Sequence, residues 1–221
     1  MILSVITDIE GTTTSISFVH RVLFPYARER LAAFLATHPD APALAEVPEP
    51  KLPTLLGWME RDEKITALKT IQGEIWRQGY EQGDLKGEIY PDVPPALRRW
   101  ARAGLKLFVY SSGSVAAQKL LFGHTPGGDL TPLFQAYFDT QVGGKREPAS
   151  YEAIARAIGG APDEALFLSD VEAELDAAAE AGLATCQLVR AQDKVTPSTR
   201  HKTANHFDDV GTYFGLPRAS V

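Results

Sequence analysis

A single cysteine, Cys186, stands among 221 residues, so no disulfide can staple the chain from within. Apolar segments are short, as at 105–110, and none approaches the ~20 residues needed to cross a bilayer. The opening residues are strand-like, with neither a basic n-region nor a cleavage site, which points away from secretion and makes the cytoplasm the expected location. Basic side chains are in the minority. Twenty-two Lys and Arg face 28 Asp and Glu, a formal charge of −6 that repels nucleic-acid backbones and anionic membrane surfaces. No nucleic acid and no membrane is expected as a partner. The five histidines, at 20, 38, 124, 201 and 206, form no ligand-spaced pair, so no zinc site is expected. What remains is an ordinary packed composition, 44% hydrophobic and 23% charged, long enough for one large domain or a core with an insertion.

Residues Ile2 to Ile6 are β-branched and apolar almost without interruption before the chain turns polar at Thr7-Asp8-Ile9-Glu10-Gly11-Thr12. That is the pattern of a buried parallel strand ending in a loop. Helical spacing follows over 18–37, with Pro25 either starting a helix or kinking one. The proline-rich stretch 38–53 reads as a loop, and 54–80 as a second helical block closing in Gly79 and Gly83. After Pro91 the pattern alternates: helices are expected over 95–103, 115–122, 148–158 and 171–181, and strands over 105–110, 138–140, 165–168 and 184–189. Such alternation predicts an α/β fold, a Rossmann-like parallel sheet core covered by helices with right-handed crossovers. The expected organisation is an α/β core in 1–14 and 91–221, with a helical cap in 15–90 inserted after the first strand.

In open α/β sheets the ligand sits beyond the carboxyl ends of the strands, so the residues just past each strand carry the chemistry. Four places stand out: Asp8 to Thr12, Ser111-Ser112-Gly113-Ser114, Gly143-Gly144-Lys145 and Ser169-Asp170. Asp8 and Glu10 are two residues apart, and in extended backbone both carboxylates project to one side. With Asp170 they make a hard oxygen set of the kind that holds Mg²⁺. One carboxylate can then act as nucleophile toward phosphorus and the other as acid and base. Ser111 and Ser112 offer hydroxyls and N–H groups near a helix start, and Lys145 a cation to offset transition-state charge.

Competing motifs fail on single residues. A phosphate-binding P-loop ending at Gly144-Lys145 needs glycine at Asp139 and a hydroxyl at Arg146. A nucleophile elbow needs a glycine two residues before the serine, where Val109 or Tyr110 stands. A signalling receiver carries its acceptor aspartate near mid-chain, unlike Asp8, and lacks an insertion of this length. A phosphate-binding module without catalysis could dispense with the acid pair. Cys186, inside an apolar strand, reads as core.

The four strand-end motifs together resemble the haloacid dehalogenase-like superfamily of phosphohydrolases. Asp8, Ser111, Lys145 and Asp170 stand where it places its nucleophile, phosphate-binding hydroxyl, lysine and metal-binding acid. The segments Asp8-Ile9-Glu10-Gly11-Thr12-Thr13, Leu23-Phe24-Pro25-Tyr26, Lys64 to Lys69, Tyr110 to Ser114 and Gln118 to Gly123 narrow the resemblance to its enolase-phosphatase family. The match runs to about Asp176, and the tail after Arg190 offers little to compare. Glu10 replaces the aspartate of the general motif, as in that family. Glu174 meets the second acidic position of the fourth motif only loosely and ranks behind the metal ligands.

The resemblance implies that Mg²⁺ is held by Asp8, Asp170 and Glu10, the last through its backbone carbonyl, and that Ser111, Ser112 and Lys145 hold the substrate. It implies a bifunctional reaction in methionine salvage. A small phosphorylated diketone, 2,3-diketo-5-methylthiopentyl 1-phosphate, is enolised and then dephosphorylated to acireductone, with Asp8, Glu10 and Lys145 as catalytic residues. The cap would exclude water from the reactive enol and supply an apolar surface for the methylthio tail. The alternative is a phosphomonoesterase of the same superfamily acting on another sugar phosphate. A monomer is expected.

Overall fold

The computed structural model describes residues 1–219; the last two positions of the expected 91–221 core segment lie outside the described residues. The chain forms two compact units, one of Met1–Ile16 with everything from Gly87 onward, the other of Ser17–Lys86. In chain order, β1 (Ser4–Thr7) is followed by α1 (Ile16–Phe18), α2 (Phe24–Thr37), α3 (Lys51–Glu60) and α4 (Thr66–Gln82). After these come α5 (Val93–Arg102), β2 (Lys106–Tyr110), α6 (Val115–Gly123), β3 (Phe134–Phe138), α7 (Pro148–Ile158) and β4 (Ala165–Ser169). The chain closes with α8 (Glu172–Glu180), β5 (Ala184–Leu188), β6 (Lys202–Ala204) and α9 (Phe207–Phe214).

The strands form one sheet in the order β3-β2-β1-β4-β5-β6, and every pairing is parallel. β1 is central: Thr7 lies opposite Val109 of β2 on one side and Leu168 of β4 on the other. Every residue of β1 and β4 is buried, which is why both are mostly apolar, Val5-Ile6 and Ala165 to Leu168, with no apolar/polar alternation. Tyr110, Tyr151 and Phe167 meet ring to ring beneath the strand ends, packed with Ile6, Ile154 and Leu175 in one cluster. Burying each such side chain contributes roughly 1.5–3 kcal/mol. Because the connections diverge from β1 to either side, the loops after β1, β2 and β4 leave one edge of the sheet as neighbours.

The 17–86 unit has its own apolar core, built from Ala27, Leu31 and Phe34 of α2, Leu55 of α3 and Leu68, Ile71 and Ile75 of α4. Pro25 sits in the first turn of α2, where a turn of π-helix at Val19–Leu23 runs on through helical Leu23 and Phe24 into the α-helix. The block expected over 54–80 is two helices. Residues 61–65 separate them, with Asp62 at φ +50°, a break that no proline or glycine marks. The stretch 38–53 is less irregular than expected, because a 3₁₀ turn at Pro42–Glu46 buries Leu44 and α3 already begins at Lys51. Gly79 lies inside α4, where a β-carbon would come 2.5 Å from the Tyr26 hydroxyl. Its role is close packing, and Gly83 at φ +82° ends the helix.

β3 spans Phe134–Phe138, earlier than the strand expected at 138–140. β6 and α9 arise in the tail after Arg190, where no strand or helix was expected. Among the described residues, no helix is long and apolar enough to cross a membrane.

Candidate active site

β1 ends at Thr7, and the Asp8 amide makes the last bond to β4, donating to Leu168 O at 2.9 Å. From there the chain closes a tight loop. The amides of Thr12, Thr13 and Thr14 all converge on Ile9 O, and the Gly11 amide donates to Thr14 O at 2.7 Å. Gly11 adopts φ +70°, the left-handed region open to glycine. The loop separates the two carboxylates that an extended chain would have aligned: Asp8 is buried and Glu10 is exposed, bridged to Thr14 through its backbone.

After β2, Ser111 is buried and Ser112 exposed. The Ser111 amide donates to Phe138 O at 3.1 Å, so the sheet consumes the N–H expected for phosphate, and the hydroxyl is what this residue offers. Ser114 caps α6, accepting from the Ala117 amide at 3.3 Å, while the Val115 amide donates to the Asp139 carboxylate at 3.2 Å. The buried Gln118 amide group donates to Gly113 O and Phe138 O at 2.8 and 2.9 Å, which fixes the turn.

Lys145 is buried, and its ammonium lies 2.7 Å from Asp8 Oδ1 and 2.7 Å from Glu174 Oε2. The backbone that carries it is clamped by core hydroxyls on three successive carbonyls. Tyr110 donates to Gly143 O at 2.9 Å, Ser150 to Gly144 O at 2.8 Å and Tyr151 to Lys145 O at 2.7 Å. Burial alone would lower the lysine, but Asp8 and Glu174 outweigh it and hold the ammonium above the usual lysine range. Glu174 also accepts from the Ser169 hydroxyl at 2.8 Å, and burial together with the Asp8 charge pushes its carboxyl upward. Glu174 therefore touches Lys145 directly.

Asp170 is buried beside Asp8. Burial first, and the negative charge of Asp8 second, push its carboxyl up to about 7. Among the described residues, no group of three or more His, Cys, Asp or Glu side chains is arranged to hold a metal ion. The set implied by the resemblance is smaller, two side-chain carboxylates with the Glu10 carbonyl. The two buried carboxylates are hard oxygen donors whose mutual repulsion a divalent cation would relieve, so the donor chemistry fits Mg²⁺. A cavity of about 200 Å³ near Leu3, Lys106 and Glu164 lies at the opposite, amino-terminal end of the strands.

The support beneath the Asp8 loop was invisible in the sequence. Arg190, just past β5, is buried and donates through Nε and Nη2 to Thr12 O at 3.0 and 2.8 Å. Its Nη1 reaches both oxygens of Asp92 at 3.0 Å and Asn205 O at 2.8 Å. Asp193 accepts from the Ser15 hydroxyl at 3.0 Å, the Ile16 amide at 3.1 Å and the Tyr90 hydroxyl. Gln187 donates to Asp170 O at 2.9 Å. No local pattern marks a lone Arg, Asp or Gln; their role exists only in the fold.

Residues 2–182 match the haloacid dehalogenase-like hydrolase family. The chain is 56% identical to enolase-phosphatase E1 of Granulibacter bethesdensis over 97% of each chain. It is 54% identical to enolase-phosphatase E1 of Serratia proteamaculans, covering 95% of this chain and 97% of that one. The crystal structure of the UTR4 protein of Saccharomyces cerevisiae superposes with a TM-score of 0.83 at 35% identity, covering 95% of this chain and 100% of that one.

Proposed function

This chain belongs to the haloacid dehalogenase-like hydrolases and, within them, to the enolase-phosphatase E1 family, and we propose that it turns 2,3-diketo-5-methylthiopentyl 1-phosphate into acireductone and phosphate. The observation that carries the reading is the buried Asp8–Lys145 contact of 2.7 Å at the end of the central strand. A carboxylate held there is aimed by the ammonium and desolvated on one side, as a nucleophile toward phosphorus must be.

Asp8 attacks phosphorus and becomes the aspartyl phosphate, while the bond to the substrate oxygen breaks. Glu10, exposed to solvent, gives a proton to that oxygen and then takes one from the water that releases phosphate. The hydroxyls of Ser111 and Ser112 bind phosphate oxygens. Lys145 offsets the negative charge that accumulates on the transferring group. Asp8, Asp170 and the Glu10 carbonyl would hold Mg²⁺, which when bound would supply positive charge to screen the phosphate from the carboxylates and to acidify the C–H beside the diketone. The same reading assigns residues 15–90 as the cap and 1–14 with 91–221 as the catalytic core, and places the enzyme in methionine salvage as a cytoplasmic monomer.

Anaerobic incubation with the diketone phosphate and Mg²⁺, following enol absorbance and free phosphate together, tests the proposal. Both signals should rise in that order. Faster hydrolysis of ordinary sugar phosphates would overturn it in favour of a general phosphomonoesterase.

A further inference from the structure

We infer that Arg190 is a positioning residue for the phosphoryl-transfer step, acting through the Thr12 carbonyl on the loop that carries Asp8. The inference rests on Asp8 as the nucleophile.

Arg190 is only 3% exposed, an expensive place for a guanidinium unless each face of it is used. Two of its N–H groups converge on the Thr12 carbonyl, and the opposite edge is neutralised by Asp92. The planar group lies 4.3 Å from the Tyr90 ring centroid and 5.4 Å from that of Phe207. Asp92 is itself fixed, since its Oδ2 accepts from the Phe207 amide at 2.8 Å at the start of α9. The Asp8 loop is thus tied through one side chain to α5 and to the segment entering α9. Its other bonds include local ones within 8–14, the Asp8 amide donating to Leu168 O, the Tyr90 amide donating to Thr13 O at 2.9 Å and the Thr14 hydroxyl donating to Glu88 O at 2.7 Å. A carbonyl held by a fork of two donors has a fixed direction as well as a fixed distance. Direction matters here because the Thr12 peptide lies four residues from Asp8 in a loop whose Thr12, Thr13 and Thr14 amides fold back on Ile9 O. Lysine keeps the charge beside Asp92 but offers a single point donor that cannot serve Thr12 O and Asp92 in the same geometry.

The test compares the full-length wild type with Arg190→Lys, reading phosphate release and amide hydrogen exchange over residues 9–14 in parallel, with thermal melting as a check on folding. Arg190→Lys should stay folded, lower kcat by ~10-fold or more with KM within about twofold, and speed exchange in residues 9–14 while other core segments keep their protection. Loss of kcat without faster loop exchange would overturn the inference, as would faster exchange at wild-type kcat. If Arg190→Lys fails to fold, Asp92→Asn, which weakens the guanidinium's anchor, is read by the same two signals. Should the wild type release no phosphate from any phosphomonoester, the nucleophile reading fails and this inference with it; the exchange data would then show a structural tether alone.

Discussion

A β-carbon placed on Gly11 would lie 2.4 Å from Oδ2 of Asp170, so the backbone of the first strand-end loop and the acid after the fourth strand occupy touching positions. Nothing larger than hydrogen fits between them. With φ at +70°, Gly11→Ala meets both backbone strain, about 1–3 kcal/mol, and this collision. It should cut kcat by about 100-fold through displacement of the acid. Steady-state phosphate release with a thermal melt checks it; an active, equally stable variant would contradict the geometry.

Lys145→Met leaves Asp8 and Glu174 buried without their shared cation. Breaking such a pair costs about 3–5 kcal/mol. Activity should fall by at least ~100-fold. Glu174→Gln keeps one contact to the ammonium and should be milder on both readouts, measured by denaturant unfolding and phosphate release.

Tyr151→Phe removes one hydroxyl and no volume, leaving the Lys145 carbonyl without its 2.7 Å donor. A stability loss of about 1–2 kcal/mol is expected. Tyr110→Phe, which frees Gly143 O, should behave alike. Denaturation midpoints measure both, and unchanged midpoints would show that the clamp contributes nothing.

Much of this site was legible in the sequence for one physical reason. Parallel strands bury both faces, so β1 and β4 are buried, mostly apolar segments whose acidic successors, Asp8 and Asp170, mark the carboxyl edge of the sheet. Lys145 was legible from its glycines, and the Ser111 turn from its composition. The division of 54–80 into two helices was not, because the apolar spacing continues on both sides of residues 61–65 without a breaking residue. Nor was β6, three residues long and flanked by polar chain. Arg190, Asp193 and Gln187 escaped because a side chain that bonds a distant carbonyl leaves no mark on its own neighbours.

Burial pushes the Cys186 thiol up to about 12, so it should resist alkylation at pH 8 until the protein unfolds. The sign of its linkage follows. Above about pH 9 the unfolded thiol loses its proton while the folded one keeps it, so this group's contribution falls as pH rises from 9 toward 12, by about 1.4 kcal/mol per unit. Unfolding of wild type and Cys186→Ala across that window isolates the effect. Ready alkylation of the native protein would contradict the burial.

Chelation should abolish phosphate release and added Mg²⁺ restore it, since Asp8 and Asp170 are otherwise two buried acids in mutual repulsion. Turnover unaffected by a strong chelator would remove the metal from the account.

The nucleophile is tested most directly by quenching the reaction with acid during the first turnover and mapping phosphorylated peptides by mass spectrometry. A transient phosphoryl adduct on Asp8, absent in Asp8→Asn along with all phosphate release, is the expected result. Undiminished release by Asp8→Asn, or an adduct on any other residue, would contradict it.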